Sequence, residues 1–188
     1  VLWKNKYFAL RTKAFDACWG ARIYPEGSDE SDNKADTIYV LHTEDDRVLA
    51  GVRLLLHKPG SDEQVWCEKK NPEFLLTSLL PQHDTKALSY CELSGIVADP
   101  DPVYRERHLG TEVTKDALQR ICNGTIQNHG KPFNVIISSA SKQGIGPIKR
   151  AASEIGMSGI VRTDRVIQEK DQRFDTKLWP VLLSKDSR

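Results

Sequence analysis

Two short stretches hold the residue types that do chemistry. In Ser89-Tyr90-Cys91-Glu92-Leu93-Ser94-Gly95-Ile96-Val97-Ala98-Asp99, polar and apolar side chains alternate as they do in a strand, and Tyr90, Glu92 and Ser94 share a face. A carboxylate placed there is either a salt-bridged structural residue or a general base, because partial burial raises a carboxyl toward the pH at which it can take a proton. Gly95 permits a bulge or the close approach of a ligand. After the break at Asp99-Pro100-Asp101-Pro102, Arg105-Glu106-Arg107-His108-Leu109-Gly110-Thr111 reads as a basic loop that opens a helix. Free N–H groups and the positive end of the helix dipole make such a junction an anion site, and Arg105 and Arg107 add charge. Two solvated arginines ahead of an ordinary helix are the alternative.

Arg53 is the third feature. It interrupts the apolar run Val48-Leu49-Ala50-Gly51-Val52-Arg53-Leu54-Leu55-Leu56. An interior arginine must be paired or bind an anion. Asp32 and Asp36, in the acidic loop 26–36, are candidate partners, and an anionic ligand is the alternative. Arg11 is expected to support that loop by packing and hydrogen bonding.

The elements that must position these residues follow from periodicity. Trp3, Tyr7, Leu10, Ala14 and Cys18 recur at helical spacing, and Gly20 ends that helix. Residues 20–36 read as a long polar loop. Strands over 37–41 and 48–56 form a hairpin whose second strand is apolar on both faces, hence central. A short helix is expected over 73–80, opened by Pro72, and a strand over 87–99. A long helix from Leu109 to about Asn128 has Leu109, Val113, Ala117, Ile121 and Thr125 on one face. A strand over 133–139, a helix over 147–155 and strands at 159–162 and 174–183 follow. The pattern predicts one domain over residues 1–188, α/β, with three layers around a mixed sheet.

Composition bounds the function. In 188 residues, 27 Lys+Arg balance 26 Asp+Glu for a net charge of +1, which argues against a bulk nucleic-acid binder. No apolar run approaches the roughly 18 residues that span a bilayer, and nothing reads as a signal peptide. The chain starts at Val1 without a Met, as a trimmed chain would. Cys18, Cys67, Cys91 and Cys122 are scattered, and read as buried thiols rather than disulfides, in a reducing cytoplasm. His42, His57, His83, His108 and His129 fall mostly beside turns, and no metal site is expected. Gly144-Ile145-Gly146 has neither dinucleotide nor P-loop spacing, and no nucleophile elbow is present. Ser138, Ser139 and Ser141 can bind an anion but lack an evident base.

The strand–loop–helix with Arg107-x-x-Gly110 resembles the acyl-carrier loop of the GNAT acyltransferase superfamily, with Glu112 where a small residue is usual. Within it, the chain resembles the acyl-homoserine-lactone synthases through an ordered set of short pieces: Arg11, Phe15 and Trp19; Asp32 and Asp36; Gly51-Val52-Arg53-Leu54-Leu55; and Cys91-Glu92-Leu93-Ser94-Gly95-Ile96-Val97. Gly95 stands where those synthases carry Arg, and Cys91 where they carry Trp. Both fit better a sister branch, the N-acyl amino acid synthases.

The resemblance implies a GNAT-like α-β-α sandwich with a splayed sheet. It implies transfer of a long-chain acyl group from acyl carrier protein, or alternatively coenzyme A, to an amino acid such as tyrosine. Glu92 would be the base, with Ser94 and Gly95 beside it; Trp19, Asp32, Asp36, Arg53 and Tyr90 would bind the acceptor. Arg105, Arg107, Gly110 and Thr111 would hold the phosphopantetheine. Lys142, Lys149, Arg150, Arg162 and Arg165 would extend a basic patch for the acidic carrier. Lactone synthesis, coenzyme A-dependent acetylation and a non-catalytic acyl-carrier or lipid-binding module are the alternatives.

Overall fold

The computed structural model describes residues 2–19, 29–34, 36–58, 60, 63–65, 69, 76–80, 88–128, 130–133, 135–164, 166–171 and 174–185. Helix α1 (Leu2–Trp19) precedes strands β1 (Thr37–Glu44) and β2 (Arg47–His57). Helix α2 (Leu76–Leu79), strand β3 (Tyr90–Ala98), helix α3 (Leu109–Cys122), strand β4 (Val135–Ala140) and helix α4 (Lys142–Glu154) follow. Strands β5 (Met157–Val161), β6 (Ile167–Asp171) and β7 (Phe174–Lys185) complete the order. The sheet runs β1-β2-β3-β4-β7-β5, with β6 on β7. Among the described residues only β3–β4 is parallel, so the sheet is mixed, as expected.

Alternation along β2 separates the layers. Ala50, Val52 and Leu54 join the core under α3 and α4, which also holds Val113, Ala117 and Leu118. On the opposite face Tyr7, Leu10 and Ala14 of α1 pack with Val48 and Val97. The two faces make β2 the buried inner strand its apolar sequence demanded. Asp45 and Asp46, at φ 46° and 60°, turn the β1–β2 hairpin in the left-handed region, which matches strand twist.

Several boundaries differ from expectation. Glu30–Asn33, within the expected loop, forms a 3-10 turn closed by a capping box between Asp29 and Asp32. Helix α3 stops at Cys122, because Asn123 caps it and Gly124 adopts φ +80°. Helix α4 begins at Lys142 rather than Pro147, since Ser141 Oγ accepts a hydrogen bond from the Gly144 N–H at 3.4 Å. Lys142 to Gly146 is therefore helical, and Pro147 sits early enough to remove only a hydrogen bond near its start. Strand β6 was not anticipated. Of the helix expected over 73–80, residues 76–80 lie within the described residues, and Leu76–Leu79 are helical. On α1, Trp3 and Cys18 are exposed, and Arg11 is buried on the stripe instead.

Candidate functional site

A fork in the sheet builds the site. Strands β3 and β4 pair only from Tyr90↔Val135 to Leu93↔Ser138. Beyond that each follows its other neighbour, β3 along β2 and β4 along β7. A bulge initiates the divergence: register passes from Arg53↔Ser94 to Gly51↔Val97, leaving an extra residue on β3. The extra residue shifts the alternation, so Tyr90, Glu92 and Ser94 face α1, and so does Val97.

Two glycines make the bulge fit. Gly95 has φ +57°, and its carbonyl accepts a hydrogen bond from the Tyr7 hydroxyl at 2.7 Å. A Cβ there would lie 2.5 Å from Tyr7 Oη. A Cβ on Gly51, on the adjoining strand, would lie 2.6 Å from the Tyr7 ring. The glycine of Gly51-Val52-Arg53 thus clears space for the tyrosine that grips the bulge. Burial raises the Tyr7 phenol to about 12, against the lowering charges of Arg11 and Arg53, so it stays a donor.

Below the fork lies a cavity of about 190 Å³. Glu92, Ser94 and Gly95 line it from β3, Arg53 from β2, Trp19 from α1 and Ser138 from β4. Phe15 stands edge-on to Trp19, with ring centroids 4.7 Å apart, and lines it too. The first turn of α4 also reaches the cavity, through Ser141 and Gly144.

Arg53 is paired. Its Nη1 donates to Asp29 Oδ1 at 2.7 Å and to Asp32 Oδ1 at 2.9 Å, and its Nε to Ser94 Oγ at 3.1 Å. Asp32 also accepts from Arg11 Nη2 at 2.5 Å and from the Tyr39 hydroxyl at 2.7 Å. Burial alone would raise the Asp32 carboxyl. Hydrogen bonds from Arg11, Tyr39 and the Asp29 N–H, with the Arg53 charge, outweigh it and bring it to about 2. Arg11 is 1% exposed and ties α1 to this cluster, the supporting part expected of it.

Glu92 is 4% exposed. Its Oε2 lies 3.7 Å from Nε2 of His57, which stacks on Tyr90.

The helix junction lies beside the fork. A Cβ on Gly110 would meet Ile96 of the bulged strand at 3.9 Å. His108 caps α3 in the left-handed region, and no side chain caps the N-terminus. Thr111 is buried, and its N–H donates to the His108 carbonyl. Arg105 and Arg107 are exposed on the 3-10 turn Pro102–Arg107. Arg107 pairs with Glu44 at 2.7 Å, outside the cavity. Glu112 is held by Lys115 at 2.7 Å.

The fork therefore gathers Trp19, Arg53, Glu92, Ser94 and Gly95, and Asp32 through Arg53. Two expectations need correction. Tyr90 packs into a separate apolar cluster with Leu88, Val135 and Leu182, away from the cavity, because it sits at the end of the β3–β4 ladder opposite the fork. Asp36 lies within 4.0 Å of Lys58, its carbonyl accepts from the Leu56 N–H, and it belongs to a second cavity. Lys142, Lys149 and Arg150 are exposed along α4, while Arg162 pairs with Asp164. Arg165, Cys67 and the acidic loop before Asp29 lie outside the described residues. Asp29 was missed, and His57 and Ser138 were considered but not assigned to this site. The signal for His57 was its strand parity with Arg53.

No protein-family model and no curated protein matches the chain in sequence. Solved structures do. An acyl-CoA N-acyltransferase from Pseudomonas aeruginosa is 18% identical, with TM-score 0.53, over 94% of this chain and 87% of that one. A CoA-dependent acyl-homoserine lactone synthase is 15% identical, with TM-score 0.58, over 97% of this chain and 76% of that one. An N-acyl amino acid synthase from uncultured soil microbes is 12% identical, with TM-score 0.52, over 95% and 88%. The chain has the fold of these acyltransferases. Its α/β class and splayed mixed sheet are those expected from the sequence.

Proposed function

We propose that the chain is a single-domain cytoplasmic N-acyltransferase that moves a fatty acyl group from the phosphopantetheine thioester of acyl carrier protein to the amine of an amino acid. One observation carries this reading: a buried carboxylate and a glycine bulge meet in one cavity at the point where two parallel strands separate. An ammonium must lose a proton before it can attack a thioester, and Glu92 is the carboxylate at that point. The tetrahedral intermediate carries an oxyanion, which main-chain N–H groups of the Gly95 bulge stabilise. The thiolate departs toward the start of α3.

The flanks support the two substrates. Phe15 and Trp19 offer an aromatic wall, which suits tyrosine as acceptor. Arg53 orients Ser94 while its charge is met by Asp29 and Asp32, so it shapes the acceptor side. Arg105 and Arg107 are exposed just before α3, and Lys142, Lys149 and Arg150 along α4, where an acidic carrier would dock. The uncapped α3 N-terminus at Gly110 and Thr111 would face its phosphopantetheine.

Mass spectrometry of organic extracts from cells expressing the chain tests the reading. N-acyl amino acids are expected, and their masses report acyl length and acceptor. Acyl lactones would instead assign lactone synthesis. Neither product would overturn transfer and leave a binding module. The described cavity is smaller than the roughly 300 Å³ at which pockets for drug-sized ligands begin, so acyl length is the sharpest readout.

A further inference from the structure

We propose that His57 is the proton outlet of this site, taking from Glu92 the proton removed from the amine and passing it to solvent on the far side of the sheet face. The proposal rests on the reading of Glu92 as the base.

His57 ends β2 with its ring buried, at 2% exposure. Tyr90 holds the ring by stacking, at 4.8 Å between centroids and 17° between planes. The side chain of Asn128 donates to the His57 carbonyl, which fixes the strand end. The two ring nitrogens thereby face two different carboxylates. Nε2 lies 3.7 Å from Glu92 Oε2, and Nδ1 lies 3.7 Å from Glu63 Oε2. Neither nitrogen has a hydrogen-bond partner among the described residues. A buried polar group left unpaired is destabilising, and an apolar side chain of this size would pack there without that penalty.

The three side chains join two cavities. Glu92 lines the cavity at the fork. His57 and Glu63 line a second one, of about 270 Å³, with Lys34 and Asp36. The Glu63 side chain is 37% exposed, so this end reaches water. Lys34 pairs with Glu63, and among the described residues the charged groups around the ring are Glu92 from β3, Glu63, Lys34 and Lys69 from the flanking segments, and Asp36 across the cavity. Burial pushes the Glu63 carboxyl up, but the Lys34 hydrogen bond and the surrounding positive charge hold it below its ordinary value. Glu63 thus remains an anion that stabilises an imidazolium. Each 3.7 Å gap exceeds a hydrogen bond by less than about 1 Å, within the reach of a small side-chain movement.

The balance is simple. Amide formation from an ammonium and a thioester gives an amide, a thiol and one released proton. The ammonium N–H bond breaks as the Glu92 O–H bond forms. That bond breaks as Nε2–H forms, and Glu92 is again a carboxylate. Nδ1 then gives its proton to water in the second cavity; once product leaves, water in the fork takes the proton left on Nε2 and water in the second cavity returns one to Nδ1, which restores the starting tautomer.

The test compares steady-state turnover of the full chain and its variants, with acyl carrier thioester and amino acid. His57→Gln is expected to lower kcat roughly 10- to 100-fold while KM for both substrates changes less than about 2-fold. In His57→Ala, added imidazole is expected to restore turnover, whereas pyrazole, of the same size and far weaker basicity, does not. Equal rescue by both, or unchanged kcat in His57→Gln, overturns the outlet. If the His57 variants fail to fold, Glu63→Gln at the exposed end must lower kcat several-fold, and unchanged kcat there overturns the proposal. Glu92→Gln separates the two readings. Loss with Glu92→Gln but none with His57→Gln removes the outlet and keeps the base, whereas full activity of Glu92→Gln removes both.

Discussion

Arg11, Arg53, Asp29 and Asp32 meet at hydrogen-bond distance beside Ser94, whereas Glu92, His57 and Glu63, on the same face of the sheet, keep 3.7 Å between neighbours. Both groups are ionisable, and both include side chains with almost no contact with water. In the first, each charge is answered and the carboxyl of Asp32 is held near 2, so no proton moves at ordinary pH. In the second, the gaps leave protons free to relocate with small motions. The first group positions; the second is suited to exchange. A buried charge need not be catalytic, and the distances within each group separate the two cases.

The largest effect expected is on turnover. Glu92→Gln should lower kcat by roughly 10²- to 10⁴-fold with an unchanged melting temperature, read by product formation and thermal unfolding. A stability loss without a turnover loss would move Glu92 into the structural class. Asp32→Ala should do the reverse. It leaves Arg11 and Arg53 buried with one counterion fewer, and about 3–5 kcal/mol of stability should be lost in urea unfolding. Gly95→Ala should cost about 1–3 kcal/mol, because its φ of +57° is unfavourable with a Cβ and Tyr7 blocks the space.

The pH dependence should separate the clusters more finely. The folded Asp32 carboxyl, at about 2, lies below its unfolded value of about 3.9, so its stabilisation is present above pH ~4 and is lost as pH falls through about 2. The stability difference between the native chain and Asp32→Asn should therefore narrow between pH ~4 and ~2, as melting temperatures would show. A constant difference would mean that packing alone holds the cluster. The smallest effect is at the surface. Reversing Arg105 and Arg107 to Glu should change stability by less than about 1 kcal/mol, yet slow use of the carrier thioester more than that of a small thioester. Equal slowing would deny them a docking role.

Much of this site was legible in local pattern. Strand alternation put Glu92 and Ser94 on one face, the lone Arg53 in an apolar run announced a partner, and Gly95 marked the bulge. Asp32 was a named candidate, but nothing in spacing separated it from Asp36. The capping box that turns Asp32 inward and the hairpin register that takes Asp36 to Lys58 decided between them. Tyr90 shared parity with Glu92, and parity places a side chain on a face, not along it. The start of α4 was misjudged because Gly144, Gly146 and Pro147 read as loop, while Ser141 supplied a cap.

The sequence by itself determined the layers, the central strand and the carboxylate, since periodicity and burial act over a few neighbouring residues. Only the tertiary structure decided which of those residues meet. The fork at Leu93 and Ser138, the grip of Tyr7 on Gly95 and the placing of His57 between two carboxylates join residues far apart in the chain. Such contacts depend on strand order and register, which no local spacing records.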